Sequence, residues 1–138
     1  MSYGPAINTY RNHAVQTASP LQLIVMLYDG ALRFIEAGRD AMARRDLFEQ
    51  NQQLQKAQNI VSELTASLDL QKGGEVAANL FSLFTFVSGR LVSANIEDDP
   101  HYLDEAVKVL APLRESWAEL EKQQRSQATP TEGLRLAS

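Results

Sequence analysis

Two histidines, an acidic pair and a glycine pair are the residues of this 138-residue chain best suited to chemistry. His101 follows Asp98 and Asp99, a grouping that would hold a divalent metal if the three side chains converged. They straddle Pro100, however, and an aspartate ahead of a proline reads as turn and helix cap. A di-iron bundle needs Glu-x-x-His on facing helices, and that motif does not occur. His13 would carry phosphotransfer only from the exposed middle of a helix, and it precedes the first long helical pattern. Gly73-Gly74 is too short to cradle a phosphate, and no Gly-x-Ser-x-Gly elbow is present. Asp29 sits among apolar residues but opposite their stripe, which reads as a solvated or partner-facing carboxylate. The sequence thus predicts no catalytic residue, no metal ligands and no cofactor.

Composition narrows the classes further. Net charge is −4 and the charges are mixed along the chain, whereas a phosphate backbone attracts a basic stripe. The absence of cysteine excludes a disulfide framework and thiolate chemistry, and fits a reducing compartment. The start of the chain lacks a basic segment followed by an apolar one, so a cytoplasmic, non-secreted protein is expected.

The elements that would position any site are four helices. Ser19-Pro20-Leu21-Gln22 has the form of a capping box with proline at the first helical position. From there a helix is expected to about Arg45, its apolar arc running from Leu23 and Phe34 through Leu27 and Ile24 to Tyr28, Leu32 and Val25. That arc covers about 200°, twice what one core-facing stripe needs. Either the helix touches two neighbours or it borders a groove. Asp46 opens a second helix with the seam Leu54, Ala57, Val61, Leu64 and Leu68 and an amide-rich outer face of Gln52, Gln53, Gln55, Gln58 and Asn59; Gly73-Gly74 are expected to stop it. A fourth helix follows Asp98-Asp99-Pro100 with the seam Leu103, Ala106, Val107, Leu110, Leu113, Trp117 and Leu120, kinked at Pro112 and ending near Gln124. Short connections between such helices make neighbours antiparallel, and the expected fold is an all-α, up-down four-helix bundle. The expected organisation is an N-terminal arm at 1–18, the bundle at 19–124 and a disordered tail at 125–138.

The third helix departs from an ordinary amphipathic pattern. Between Val76 and Ile96 the only charged residue is Arg90, in a chain that is 22% charged. Its polar interruptions make it unsuited to spanning a membrane. A core stripe is present: Val76, Leu80, Leu83, Phe84, Val87, Leu91 and Ala94. Off it fall Phe81, Phe86 and Val92, separated by Asn79, Ser82, Thr85, Ser88 and Ser93 rather than by charges. A surface of this kind expects a second protein surface. Phe81, Phe86 and Val92, with Ile60 on the second helix and Met26 on the first, are expected to be contact residues rather than core.

Several of these residues also fall into a family pattern. Tyr10, Ala14-Val15-Gln16-Thr17-Ala18-Ser19-Pro20, Leu23-Ile24 and Met26-Leu27-Tyr28-Asp29-Gly30-Ala31 resemble the start of the flagellar secretion chaperone FliS. Lys56-Ala57-Gln58-Asn59-Ile60, Glu63-Leu64, Leu68-Asp69, Gly73-Gly74-Glu75, Asn79-Leu80, Leu91, Ala94-Asn95, Leu113-Arg114 and Trp117 follow in the same order. The resemblance implies a cytoplasmic four-helix bundle that binds the disordered C-terminal segment of flagellin, prevents premature polymerisation and presents the subunit to the flagellar export apparatus. It implies that the arm, at Ile7 and Tyr10, shields part of the flagellin-binding surface, and it adds Asn95 to the contact residues. Pro5 shortens any helix in the arm, and Phe84-Thr85-Phe86 stands where the family commonly has a tyrosine-centred segment. The competing reading is a homo-oligomer whose uncharged face is its own interface, with weak self-association as a lesser form of it.

Overall fold

The computed structural model describes the backbone of residues 18–137 and the side chains of residues 18–127. Ile7, Tyr10 and His13 therefore lie outside the described residues. Four helices follow in order: α1 Pro20–Ala43, α2 Leu47–Ala66, α3 Leu70–Glu97 and α4 Pro100–Ala137. Each packs on its chain neighbours, and α4 closes the ring against α1, so α1 and α3 lie across the diagonal. This is the expected up-down bundle.

Local chemistry sets the helix ends. The Ser19 hydroxyl accepts from the Gln22 backbone N–H at 3.2 Å, while the Gln22 side chain accepts from the Ser19 N–H at 2.7 Å. That completes the capping box. Asp46 accepts from the Glu49 N–H and Asp99 from the His101 N–H, which gives Asp99 the capping role expected near Pro100. α2 ends earlier than expected, at Ala66. Thr65 and Ser67 donate their hydroxyls to the carbonyls of Val61 and Leu64, and Asp69 caps α3 at once through the N–H groups of Gln71 and Lys72. The glycine pair therefore lies within α3, which it kinks: Gly74 adopts φ 54°, ψ −131°, a conformation open only to glycine.

The core joins Tyr28, Ala31 and Ile35 of α1 to Leu54, Ala57, Val61 and Leu64 of α2, Phe84, Val87, Leu91 and Ala94 of α3, and Leu103, Ala106 and Leu110 of α4. Three expected seam positions lie outside it: Val76 is 69% exposed, Leu120 48%, and Leu83 is half-buried. Ala77 takes the core position beyond the Gly74 kink. α4 continues past Gln124 to Ala137. Beyond Trp117 the described residues carry i,i+4 pairs, Glu119–Gln123 on the exposed surface and Glu121–Arg125, in which the Glu121 side chain is 13% exposed. Pro112, exposed on the outer side of α4, lies within the continuous helix.

α1 and α2 approach most closely where α1 has no side chain. A Cβ at Gly30 would meet Ile60 Cδ1 at 2.9 Å, and one at Gly38 would meet Leu54 Cδ2 at 2.5 Å and Cγ at 2.8 Å. Ile60 is only 6% exposed. The expectation that it is a contact residue is thus corrected: Ile60 fills the slot that Gly30 leaves. The wide apolar arc of α1 has a matching explanation, since the helix packs on both α2 and α4.

Asp29, expected to be solvated or partner-facing, has a side chain that is 44% exposed and is also tied into the bundle. Its carboxylate accepts from Arg114 Nε at 2.7 Å and Nη2 at 3.4 Å, a two-point bridge from α1 to α4. Beside it Tyr28 is 1% exposed, its ring 6.3 Å from that of Phe84. Burial pushes the Tyr28 hydroxyl above the usual phenol range, and a hydrogen bond donated by the Trp117 indole opposes this.

Two outcomes follow from this packing. Gly38→Ala should destabilise the fold by about 1–3 kcal/mol through overpacking against Leu54. Gly89→Ala, where an added Cβ meets nothing within 4 Å, should be neutral or stabilise by up to about 1 kcal/mol; urea titration of both variants checks the contrast. A folded-state phenol held above its unfolded value contributes stability that is complete below the unfolded pKa, about 10, and is lost as pH rises through the folded one. The wild type should therefore lose stability above that pH, and Tyr28→Phe should lose measurably less, as read from melting temperatures between pH 8 and 11.

Candidate functional site

The uncharged surface of α3 divides into two flanks, each assigned by its contacts. Phe81, Ser88 and Asn95 form one row at seven-residue spacing, and Asn95 donates to Asn51 of α2 at 2.8 Å. That row, with Thr85, Val92 and Ile96 outside it, borders α2. Phe86 and Arg90 lie on the opposite flank, towards α4. The guanidinium of Arg90 stands 5.3 Å from the Phe86 ring centre and 5.1 Å from that of Tyr102, with Glu105 3.9 Å away. The one charge between Val76 and Ile96 is thus held between two aromatic rings. Phe81 and Val92 share a flank, whereas Phe86 belongs to the other.

All three phenyl and valyl side chains are accessible: Phe81 is 44% exposed, Phe86 41% and Val92 43%. Ile96, at 74%, extends the α2-side flank to the turn, where Leu47 and Phe48 of α2 are also exposed. Leu47, Phe48 and Ile96 escaped the sequence reading because each sits at a helix end, where periodicity has too few turns to assign a face. Met26 is half-buried and lies on the side of α1 opposite Ala31 and Ile35. Since α1 is diagonal to α3, the structure does not bring Met26 together with the α3 residues.

Asn95 belongs to a hydrogen-bonded series between α2 and α3. The Gln50 amide donates to the Asp98 carboxylate at 2.8 Å and to Asn95 Oδ1 at 3.2 Å. Asn95 donates to Asn51 Oδ1, which also accepts from Gln55 Nε2 at 3.3 Å. Gln50 is 1% exposed and was missed as a structural residue. Its signal was its place four and seven residues before Leu54 and Ala57, on the apolar seam.

At the far end of the bundle the Gly74 kink leaves an open cleft of about 240 Å³. Ile24 and Tyr28 of α1, Leu68, Val76 and Leu80 around the kink, and Trp117 of α4 line it. The walls are almost wholly apolar, so the cleft suits an apolar side chain and offers no acid–base machinery. Among the described residues no group of three or more His, Cys, Asp or Glu is placed to hold a metal ion. α3 is long and apolar enough to cross a membrane by length and composition, but here it packs between α2 and α4.

The sequence of residues 3–124 matches the family described as "Flagellar protein FliS". It is similar to the flagellar secretion chaperone FliS of Salmonella typhimurium, at 38% identity over 78% of this chain and 80% of that one. It is similar also to the FliS chaperone of Bacillus subtilis, at 32% identity over 91% and 92% of the two chains. The fold resembles a crystal structure of a bacterial flagellar chaperone with a TM-score of 0.70, at 16% identity, covering 86% of this chain and 99% of that one. The four-helix architecture and the match along the bundle lead to one conclusion: this chain belongs to the FliS family of flagellar secretion chaperones.

Proposed function

We propose that this protein is a cytoplasmic export chaperone that binds the disordered C-terminal segment of flagellin, prevents its premature polymerisation and delivers it to the flagellar export apparatus. The observation that carries the reading is the exposure of large apolar side chains on both flanks of α3, whose stretch from Val76 to Ile96 holds a single charge. A disordered client loses conformational entropy on binding and offsets that loss by wrapping a large surface. Uncharged walls favour such wrapping, because an unpaired charge buried beneath the client would be costly. Phe81, Val92 and Asn95 form the contact row beside α2, and Phe86 the one beside α4. Met26 is a separate, outlying contact, and Ile7 and Tyr10 of the arm share the surface when no client is bound. The apolar cleft takes one anchoring side chain of the client.

Phe81→Glu or Val92→Glu should weaken binding of a C-terminal flagellin peptide by tenfold or more, while helicity and the cooperativity of melting stay nearly unchanged. Variants that unfold instead would place these side chains in the core and refute the assignment. Trp117 is the only tryptophan in the chain and lines the cleft, so its fluorescence should change on peptide addition. Light scattering should give a monomer that gains one peptide mass. A dimer mass independent of concentration and peptide would favour self-association through the same face.

A further inference from the structure

The amide series between α2 and α3 has a direction, and Asp98 imposes it. A carboxylate only accepts, so Gln50 must present Nε2 to it and hence also to Asn95. Asn95 therefore accepts through Oδ1 and donates through Nδ2, as its 2.8 Å bond to Asn51 Oδ1 records. Asn51 in turn accepts, from Asn95 and from Gln55 Nε2. With both lone pairs of its oxygen engaged, Asn51 has only its Nδ2 donor to offer outward. Gln55, having donated inward, offers its Oε1 acceptor. No amide in the series can flip without setting two donors or two acceptors against each other. Both terminal groups are exposed on α2 beside the flank of Phe81, Val92 and Ile96.

A fixed donor next to a fixed acceptor, one helical turn apart, is the complement of a polypeptide backbone. The two amide heads adjoin, 3.3 Å apart, and an extended chain turns the N–H and C=O of one residue towards the same edge, so a single client residue can meet both. A helical occupant uses its N–H and C=O groups internally and has nothing to bring to this pair. No ionised side chain stands among Asn51, Gln55, Gln58, Phe81, Ser88 and Val92. We infer that Asn51 and Gln55 read the main chain of an extended, uncharged stretch of the client: the Asn51 amide donates to a client carbonyl, and Gln55 accepts from a client N–H. Val92 and Phe81 take the apolar side chains that alternate along it. The contact between buried Gln50 and exposed Asp98 is the positioning element, acting through Asn95. Recognition of this type reads main-chain geometry and tolerates changes in client side chains.

The inference rests on the chaperone reading, and the test separates the two. A flagellin C-terminal peptide is made as a series in which single backbone amides are replaced by esters, removing one N–H and weakening one carbonyl acceptor. Each is titrated against the wild type and against Asn51→Ala/Gln55→Ala. One or two adjacent esters should reduce wild-type affinity by about tenfold and reduce affinity for the double variant by less than twofold. Asn51→Asp, which keeps the inward acceptor and loses the outward donor, should lose affinity at an unchanged melting temperature. Ester penalties identical for wild type and double variant would overturn the inference while leaving the chaperone reading intact. If the wild type binds no flagellin peptide at all, both fall.

Discussion

The arrangement of this bundle depends on how closely α2 lies against α1. Gly30 and Gly38 remove the side chains that would hold the helices apart, and Ile60 and Leu54 occupy the space. Close approach fixes the rotation of α2, and that rotation decides which amides face α3 and which face water. Had α1 carried alanine at both positions, the side chains of Leu54 and Ile60 would have to shift. The surface proposed to face the client is thus tied to packing on the opposite side of α2, with no direct contact between the two.

α3 meets two requirements with one sequence. Its inner stripe of Phe84, Val87, Leu91 and Ala94 is fully committed to the core. Its outer sides are left with hydroxyls, amides and phenyl groups, which hydrate tolerably and desolvate cheaply. Ionic side chains would keep such a surface more soluble but would oppose burial. Arg90 is the exception that fits: two aromatic rings and Glu105 hold it in place, so its charge is already partly compensated.

Much of this was legible in the sequence, where the determinants were local. The capping box at Ser19 and the aspartates at 46 and 99 act within three residues, and they mark helix starts correctly. The lack of charge along α3 is a property of composition, visible without a fold. Relations across the bundle were not visible. Ile60 looked like an exposed residue because its slot is made by Gly30, thirty positions earlier, and Asp29 looked free because Arg114 lies 85 positions away. The three off-stripe residues of α3 read as one face, yet contacts at Asn95 and Arg90 place them on two flanks. The glycine pair signals a break, but whether it ends one helix or bends the next depends on the Asp69 cap before it.

The order of the helices has a consequence for how the bundle closes. Three of the four helix pairs are joined by connections of two or three residues, so each can form as a local hairpin with little loop entropy to overcome. Only the α1–α4 pair must be closed across the length of the bundle, and it is braced at the surface by Asp29–Arg114 and Arg39–Asp104, both partly exposed and open to screening by salt. That pair therefore carries the largest loop-closure cost in the fold. The cost is offset by an interface more extensive than that between α2 and α3, so the seam joining the two ends of the bundle is held by packing rather than by the chain connection.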